Sequence, residues 1–291
     1  MRRHRSTFAL VILLAVAGCA STAQGRSPAP TSTGSSTPFD QRAAEVANAW
    51  TAAGMPAKWR TGFVPLQDLT VIAADPGFTS DTKLAFGNGY FVMAAPLLLP
   101  PPPGVIRFPD GSTMKVPLQT EEDSFAALDK GDCPPGECHT LRITAVDLST
   151  VSLLTSRGVA TVPAWRYVAN GLPAPILRVA VTPDRISSPP ESPSLHLSHS
   201  GDLRDATDLI SVDGQTIHFR LGVGDCDKQI RPWVYETSDV IVVGGTATEP
   251  AGICDDVLRL QPETVRLATP AGSRAILGVV AGQPLLIGSF R

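Results

Sequence analysis

Five histidines and five cysteines are the residues of this chain best suited to chemistry. Both bind metals, and beside a carboxylate or hydroxyl both take part in nucleophilic catalysis. The densest grouping is "HLSHSGDLRD", which holds His196, His199, Asp202 and Asp205. Imidazole with carboxylate suits zinc, but the helical His-Glu-x-x-His pattern is missing. The stretch reads equally as a solvated loop at the edge of a linker. Ser198, His199 and Asp202 are close in sequence, but a catalytic triad is assembled in space and has no local order. No Gly-x-Ser-x-Gly occurs. "GVGDCD" opens no helix, and no phosphate loop, dinucleotide fingerprint or EF-hand pattern is present. No metal or cofactor is implied. A hydrolase would have to gather dispersed residues, with His139, His199 and His218 as its candidate bases.

The cysteines divide into one and four. Cys19 closes an apolar run, Phe8 to Ala17, that follows the basic start "MRRHR". The run is far shorter than the ~20 residues that cross a hydrocarbon core. Basic start, short apolar middle and small-residue end describe an export signal over 1–18. Val16-Ala17-Gly18-Cys19 resembles the bacterial lipobox. That resemblance implies a diacylglycerol thioether on Cys19 and cleavage just before it. Two acyl chains hold a protein stably at a membrane, at ~0.8 kcal/mol per buried CH₂. Residues 19–38 are Ser, Thr, Pro, Gly and Ala with almost no large apolar group, the composition of a disordered tether. The expected location is the extracytoplasmic face of the cell membrane, with the lipid on Cys19 as the membrane contact.

The remaining four are Cys133 and Cys138 in "CPPGEC", then Cys226 and Cys254. An even set outside the cytoplasm reads as disulfides. Of the three pairings, the local one is simplest: Cys133–Cys138 and Cys226–Cys254. The chain-entropy estimate gives ~2 and ~3.5 kcal/mol for the two loops. Zinc is the rival; His139 adjoins Cys138, but no second motif completes a site.

Composition bounds the partners. The formal charge is −3, and removing Arg2, Arg3 and Arg5 with the leader makes the body more acidic by three. Without a basic run, nucleic acid is not a partner, since its binding rests on phosphate neutralisation. Apolar residues at 43% suffice for real cores, and 27 prolines with 25 glycines suit many short strands joined by turns.

The elements follow from periodicity. Phe39 to Ala53 predicts a helix, with Ala43, Val46, Ala47 and Trp50 on one face. Asp40 is its expected N-cap, and Gly54 with Pro56 ends it. "TKLAFGNGYFVMAAPLLL" reads as a hairpin about Asn88-Gly89, and "GVIRFPDGSTMKVPL" as another about Asp110-Gly111. "EEDSFAALDK" reads as a short helix. Strands dominate from Thr140 onward, with turns at Arg157-Gly158 and Asp213-Gly214. Ile217, Phe219 and Leu221 are expected to face inward, and His218 and Arg220 outward. The expected class is mainly β, α+β overall. Short antiparallel strands form two β-sandwich or barrel-like modules behind an N-terminal helix. The modules are 39–182, with Cys133 and Cys138, and 195–291, with Cys226 and Cys254; a Pro/Ser-rich linker, 183–194, joins them. "TVSLLTSRG" at 150–158 and "TVRLATPAG" at 264–272 agree at five of nine positions, which suggests related modules.

Trp165 with Tyr167, and Trp233 with Tyr235, are two residues apart, so each pair shares a strand face. Exposed, such pairs would stack on sugar rings as ligand-binding residues; buried, they are core aromatics with a polar handle.

The segments "TSRGVATVPAWRY" (155–167), "VYETSDVIVV" and "TVRLATPAGSR", with the cysteines between them, resemble a group of actinobacterial secreted lipoproteins of unassigned activity. The resemblance implies an extracytoplasmic location and this fold type, and carries no catalytic signature. The function expected is that of an envelope lipoprotein that binds or scaffolds cell-wall material or another envelope protein. An extracytoplasmic hydrolase with dispersed residues and a ligand-sensing lipoprotein are the alternatives.

Overall fold

A computed structural model describes residues 31–32, 37–96, 98–131, 133–134, 136, 138–193, 201–248, 254–255 and 257–288. In chain order the elements begin with β1 (Thr31–Ser32), α1 (Thr37–Ala52), α2 (Met55–Trp59), β2 (Thr70–Val71) and α3 (Ser80–Asn88). There follow β3 (Phe91–Met93), β4 (Gly104–Arg107), β5 (Thr113–Val116), α4 (Glu121–Ala126), β6 (Leu141–Thr155), β7 (Gly158–Ala169) and β8 (Ile176–Val179). After a single 3₁₀ turn at Pro183–Arg185 come β9 (Leu203–Asp213), β10 (Thr216–Gly224), β11 (Lys228–Glu236), β12 (Val240–Thr248), β13 (Leu258–Arg266) and β14 (Ala275–Gly278). The protein is mainly β, in two sheets of which one is a curled half-barrel.

The first sheet is built on β7. One edge of β7 carries β6 along its length, from Ile143↔Ala169 to Thr155↔Gly158; the other carries β8 and β4. β5 extends β4, β2 extends β8, and β3 lies parallel to β6. The turns expected at Arg157-Gly158 and Asp110-Gly111 are present; Gly158 has φ +92° and Gly111 φ +83°. At the second turn the Ser112 hydroxyl and N–H, joined by Arg157, hold the Asp110 carboxyl down to about 2.

The second sheet runs β1-β11-β12-β9-β10-β13, with β14 parallel to β12. The expected alternation along β10 holds: Ile217, Phe219, Leu221 and Val223 are buried, while His218 and Arg220 are not. β11 and β13, far apart in the order, touch, so the sheet curls on itself. β1 lies inside the stretch that reads as tether, and it pairs its backbone with the free edge of β11 at Tyr235 and Glu236.

α1 buries Phe39, Ala43, Val46, Ala47 and Trp50, the face that its spacing predicts. It starts at Thr37, earlier than the expected Asp40 cap, with Pro38 in its first turn where a missing N–H costs nothing. Asp40 therefore sits inside that turn, favourably placed near the positive end of the helix. Gly54, at φ +68°, ends α1, and Pro56 opens α2. α1 precedes the first sheet in sequence but packs in one core with the second. Arg42, buried on this face, donates to the Val280 carbonyl (2.8 Å) and the Val279 carbonyl (3.3 Å) and pairs with Glu45 (3.0 Å). The 183–194 stretch separates the two sheets along the chain, yet leaves α1 on the far sheet.

Two expectations fail locally. Asn88-Gly89 does not turn a hairpin: residues 80–88 are helical, with a reciprocal Thr79–Thr82 capping box, and Gly89 (φ +73°) is the left-handed C-cap. Asn-Gly supplies the same backbone freedom to a helix end as to a hairpin turn. The echoing segments are not equivalent either. Residues 150–158 turn β6 antiparallel into β7, whereas 264–272 leave β13 for β14, which pairs parallel to β12.

The sheets are tied by backbone. Leu66 N–H donates to the Leu154 carbonyl (2.9 Å), and the Leu66 carbonyl accepts from Ile287 N–H (2.7 Å). Leu209 of β9 in turn donates to Leu286 (2.8 Å) and accepts from Gly288 (3.0 Å). The segment after α2 therefore bridges the end of β6 and the C-terminal stretch.

Candidate functional site

This tie leaves a cleft beside it, of about 510 Å³. Its apolar wall is Leu69, Val71 and Ile72 from the stretch around β2, Phe86 from α3, Phe91 from β3 and Leu128 after α4. Phe86 is fixed by two ring contacts: Phe78 at 5.2 Å, and Phe91 edge-on at 6.1 Å. Its polar lining is Gln67, Asp68, Thr70, Lys130 and Arg178. Arg178 also lines a second cleft, of about 630 Å³, with Gln119, Thr120, Asp123 and Thr182.

Leu69, Ala127 and Arg178 line both clefts, and Arg178 is the charged one of the three. It lies on β8 directly opposite Thr70 of β2, and donates from Nη1 to the Thr70 hydroxyl at 2.6 Å. Its Nε is buried and has no hydrogen-bond partner among the described residues. Burial lowers its pKa, and the nearby Tyr167 hydroxyl and Asp68 carboxylate partly restore it. Gln67 is held by accepting the Leu154 N–H at 2.9 Å. The described lining residues include no histidine or cysteine. Chemically, a half-buried guanidinium with apolar side chains in the same lining is a setting that can hold an anion.

The residues singled out from sequence lie elsewhere. Trp165 and Tyr167 are 1% and 0% exposed, which removes them as stacking platforms for a ligand in solution. Trp165 Nε1 donates to the Gln119 carbonyl (3.2 Å) and the Tyr167 hydroxyl to the Glu121 carbonyl (3.3 Å). Burial pushes the Tyr167 hydroxyl up to about 12. These are core aromatics whose polar ends fasten α4 and the strand before it. Trp233 and Tyr235 are partly buried against the second core, and Trp233 Nε1 donates to the Thr246 hydroxyl at 2.9 Å.

Cys226 and Cys254 are joined, with Cα atoms 6.0 Å apart; Cys133 and Cys138 stand at 5.9 Å, inside the range of roughly 4.4–6.8 Å that a disulfide spans. Beside Cys226, Asp227 accepts both Arg204 nitrogens and the Gly224 N–H, so "GVGDCD" is a structural clasp. Cys19, His196, Ser198 and His199 lie outside the described residues. Asp205 accepts the Val280 and Ala281 N–H groups at 2.9 and 3.0 Å. His139 is exposed, 3.8 Å from Asp81. His218 Nδ1 meets the Thr264 hydroxyl at 2.9 Å, as a cross-strand pair on the exposed side of β10 and β13. The Ser-x-x-Lys spacing of some acyl enzymes occurs twice. Ser80 and Lys83 are exposed on α3; Ser112 is bonded to Asp110 at a strand end, three residues from Lys115. Among the described residues no three His, Cys, Asp or Glu side chains gather as metal ligands, and no helix is long and apolar enough to cross a membrane.

Nothing in the sequence marked Arg178. In "PILRVAV" it reads as one polar position on an ordinary strand, and its partners lie far away in the chain. Fold and cleft together define a class, a mainly β body of two sheets with a charged, apolar-walled cleft at their junction. Compared with protein-family models, curated proteins and solved structures, the chain matches none.

Proposed function

We propose that this is a lipid-anchored protein of the cell envelope, held by acyl chains on Cys19, whose body stands outside the cytoplasmic membrane and binds. The observation that carries the reading is the Cys226–Cys254 crosslink, supported by a segment, 1–19, that resembles an export signal ending in a lipobox. Such crosslinks persist in oxidising compartments and are rare in reducing ones. Cys133 and Cys138 form the second bridge of the same body. The body engages cell-wall material or another envelope protein, and the Arg178 cleft is a separate pocket sized for a small ligand. The acidic net charge supports acyl chains, rather than a basic surface, as the hold on anionic lipid.

The test is metabolic labelling of the producing cells with an alkyne fatty acid, followed by mass spectrometry of the N-terminal peptide. Label on Cys19, membrane fractionation, and loss of both in Cys19→Ala are expected. An unmodified Cys19 in a protein with free thiols at Cys226 and Cys254 overturns the reading.

A further inference from the structure

The half-buried guanidiniums of this protein are paired with carboxylates: Arg157 with Asp110, Arg204 with Asp227, Arg220 with Asp208 and Arg274 with Glu236. Arg178 departs from this. Its one hydrogen bond goes to a neutral hydroxyl, and no described carboxylate comes within ion-pair distance of it. Asp68 acts on this guanidinium only through space, without an ion-pair contact, so its removal from water is incompletely compensated. Its planar fork matches a carboxylate. Three charged side chains line the cleft, Arg178 and Lys130 against Asp68, so the balance is a single positive charge. That suits a monoanion better than a phosphate monoester. Ile72, Phe86 and Phe91 give the same lining an apolar part, and about 510 Å³ lies within the roughly 300–1,000 Å³ of small-molecule sites.

We propose that the cleft binds a small amphipathic monocarboxylate, with Arg178 taking the head and Ile72, Phe86 and Phe91 taking the apolar chain. The inference rests on the reading of the chain as a binding protein and names the ligand class of that cleft.

The full chain, reconstituted in nanodiscs of neutral phospholipid, is dialysed to equilibrium against labelled octanoate, with protein-free nanodiscs as the blank. One saturable site per chain is expected. Unlabelled octanoate displaces the label; octanol, with the tail alone, and acetate, with the head alone, do not. Arg178→Gln weakens binding at least tenfold. Gly87→Trp provides a second arm that leaves Arg178 in place. Gly87 lines the cleft, has helical backbone, and a Cβ there meets nothing within 4 Å. An indole at this lining position should crowd the cleft and weaken binding at least tenfold while the melting temperature is kept. No saturable uptake, displacement by octanol as effective as by octanoate, or unchanged binding in a folded variant overturns the proposal. A negative result here leaves the lipid on Cys19 as found by labelling, so the two readings fail separately.

Discussion

Glu121 shows what burial does to a single charge. It is 4% exposed, its Oε1 has no partner, and its carboxyl accepts the Leu98 N–H. Desolvation raises its pKa above the ordinary 4.5, and the neighbouring Glu122 charge adds to this. The unfolded chain therefore releases this proton first as pH climbs past 4.5. Stability from this group is full below that value and falls until the raised folded pKa is passed. Glu121→Gln keeps the site neutral throughout. In urea titrations the variant should be more stable than the parent at pH 7, match it near pH 4, and lack the downward slope between. A parent with no slope in that window would contradict the assignment. Arg178 is the cationic counterpart, with burial working against its charge in the same way.

At the scale of elements, two glycines in one short segment separate helix from hairpin. Gly89 is left-handed, and a Cβ there would lie 2.9 Å from the Leu128 carbonyl oxygen and 2.7 Å from Lys130 Cγ. Gly89→Ala should cost more than about 1 kcal/mol, since both backbone and space oppose it. Gly87 lies within α3 with open space beside it. Gly87→Ala should therefore stabilise by about 0.5–1 kcal/mol through helix propensity. Opposite signs in chemical denaturation are the outcome that the helix requires; two losses of similar size would point back to a hairpin.

At the scale of the molecule, residues far apart in the chain hold the halves together. Leu66 bridges β6 and the C-terminal stretch, and α1 joins a core assembled mostly from residues past 200. The Cys226–Cys254 bridge closes a loop of 28 residues that contains β11 and β12. Closing it removes denatured-state entropy worth about 3.5 kcal/mol. The double variant Cys226→Ser, Cys254→Ser should lose about that much in equilibrium unfolding under oxidising conditions, and added reductant should shift the parent by more than the variant, in which only Cys133 and Cys138 are left to reduce. Equal sensitivity of both to reductant would move the effect to Cys133 and Cys138.

What the sequence by itself determined is what short-range periodicity encodes. The buried face of α1 follows from residues three and four apart, and the inward set Ile217, Phe219 and Leu221 from residues two apart. Asp-Gly and Arg-Gly turns were legible because few residues tolerate their backbone angles. The pairing Cys226–Cys254 was legible as the most local option. What only the tertiary structure decided depends on distance along the chain. Whether Trp165 and Tyr167 face solvent is set by what covers the strand, here α4 and the segment before it, and alternation cannot say which sheet face is covered. Asn88-Gly89 was ambiguous because one left-handed glycine serves either a turn or a cap. The Arg178 cleft was invisible, since Arg178 and Thr70 meet across 108 residues. Neighbours in a strand restrain one another's periodicity, but long-range register is fixed only when the cores close.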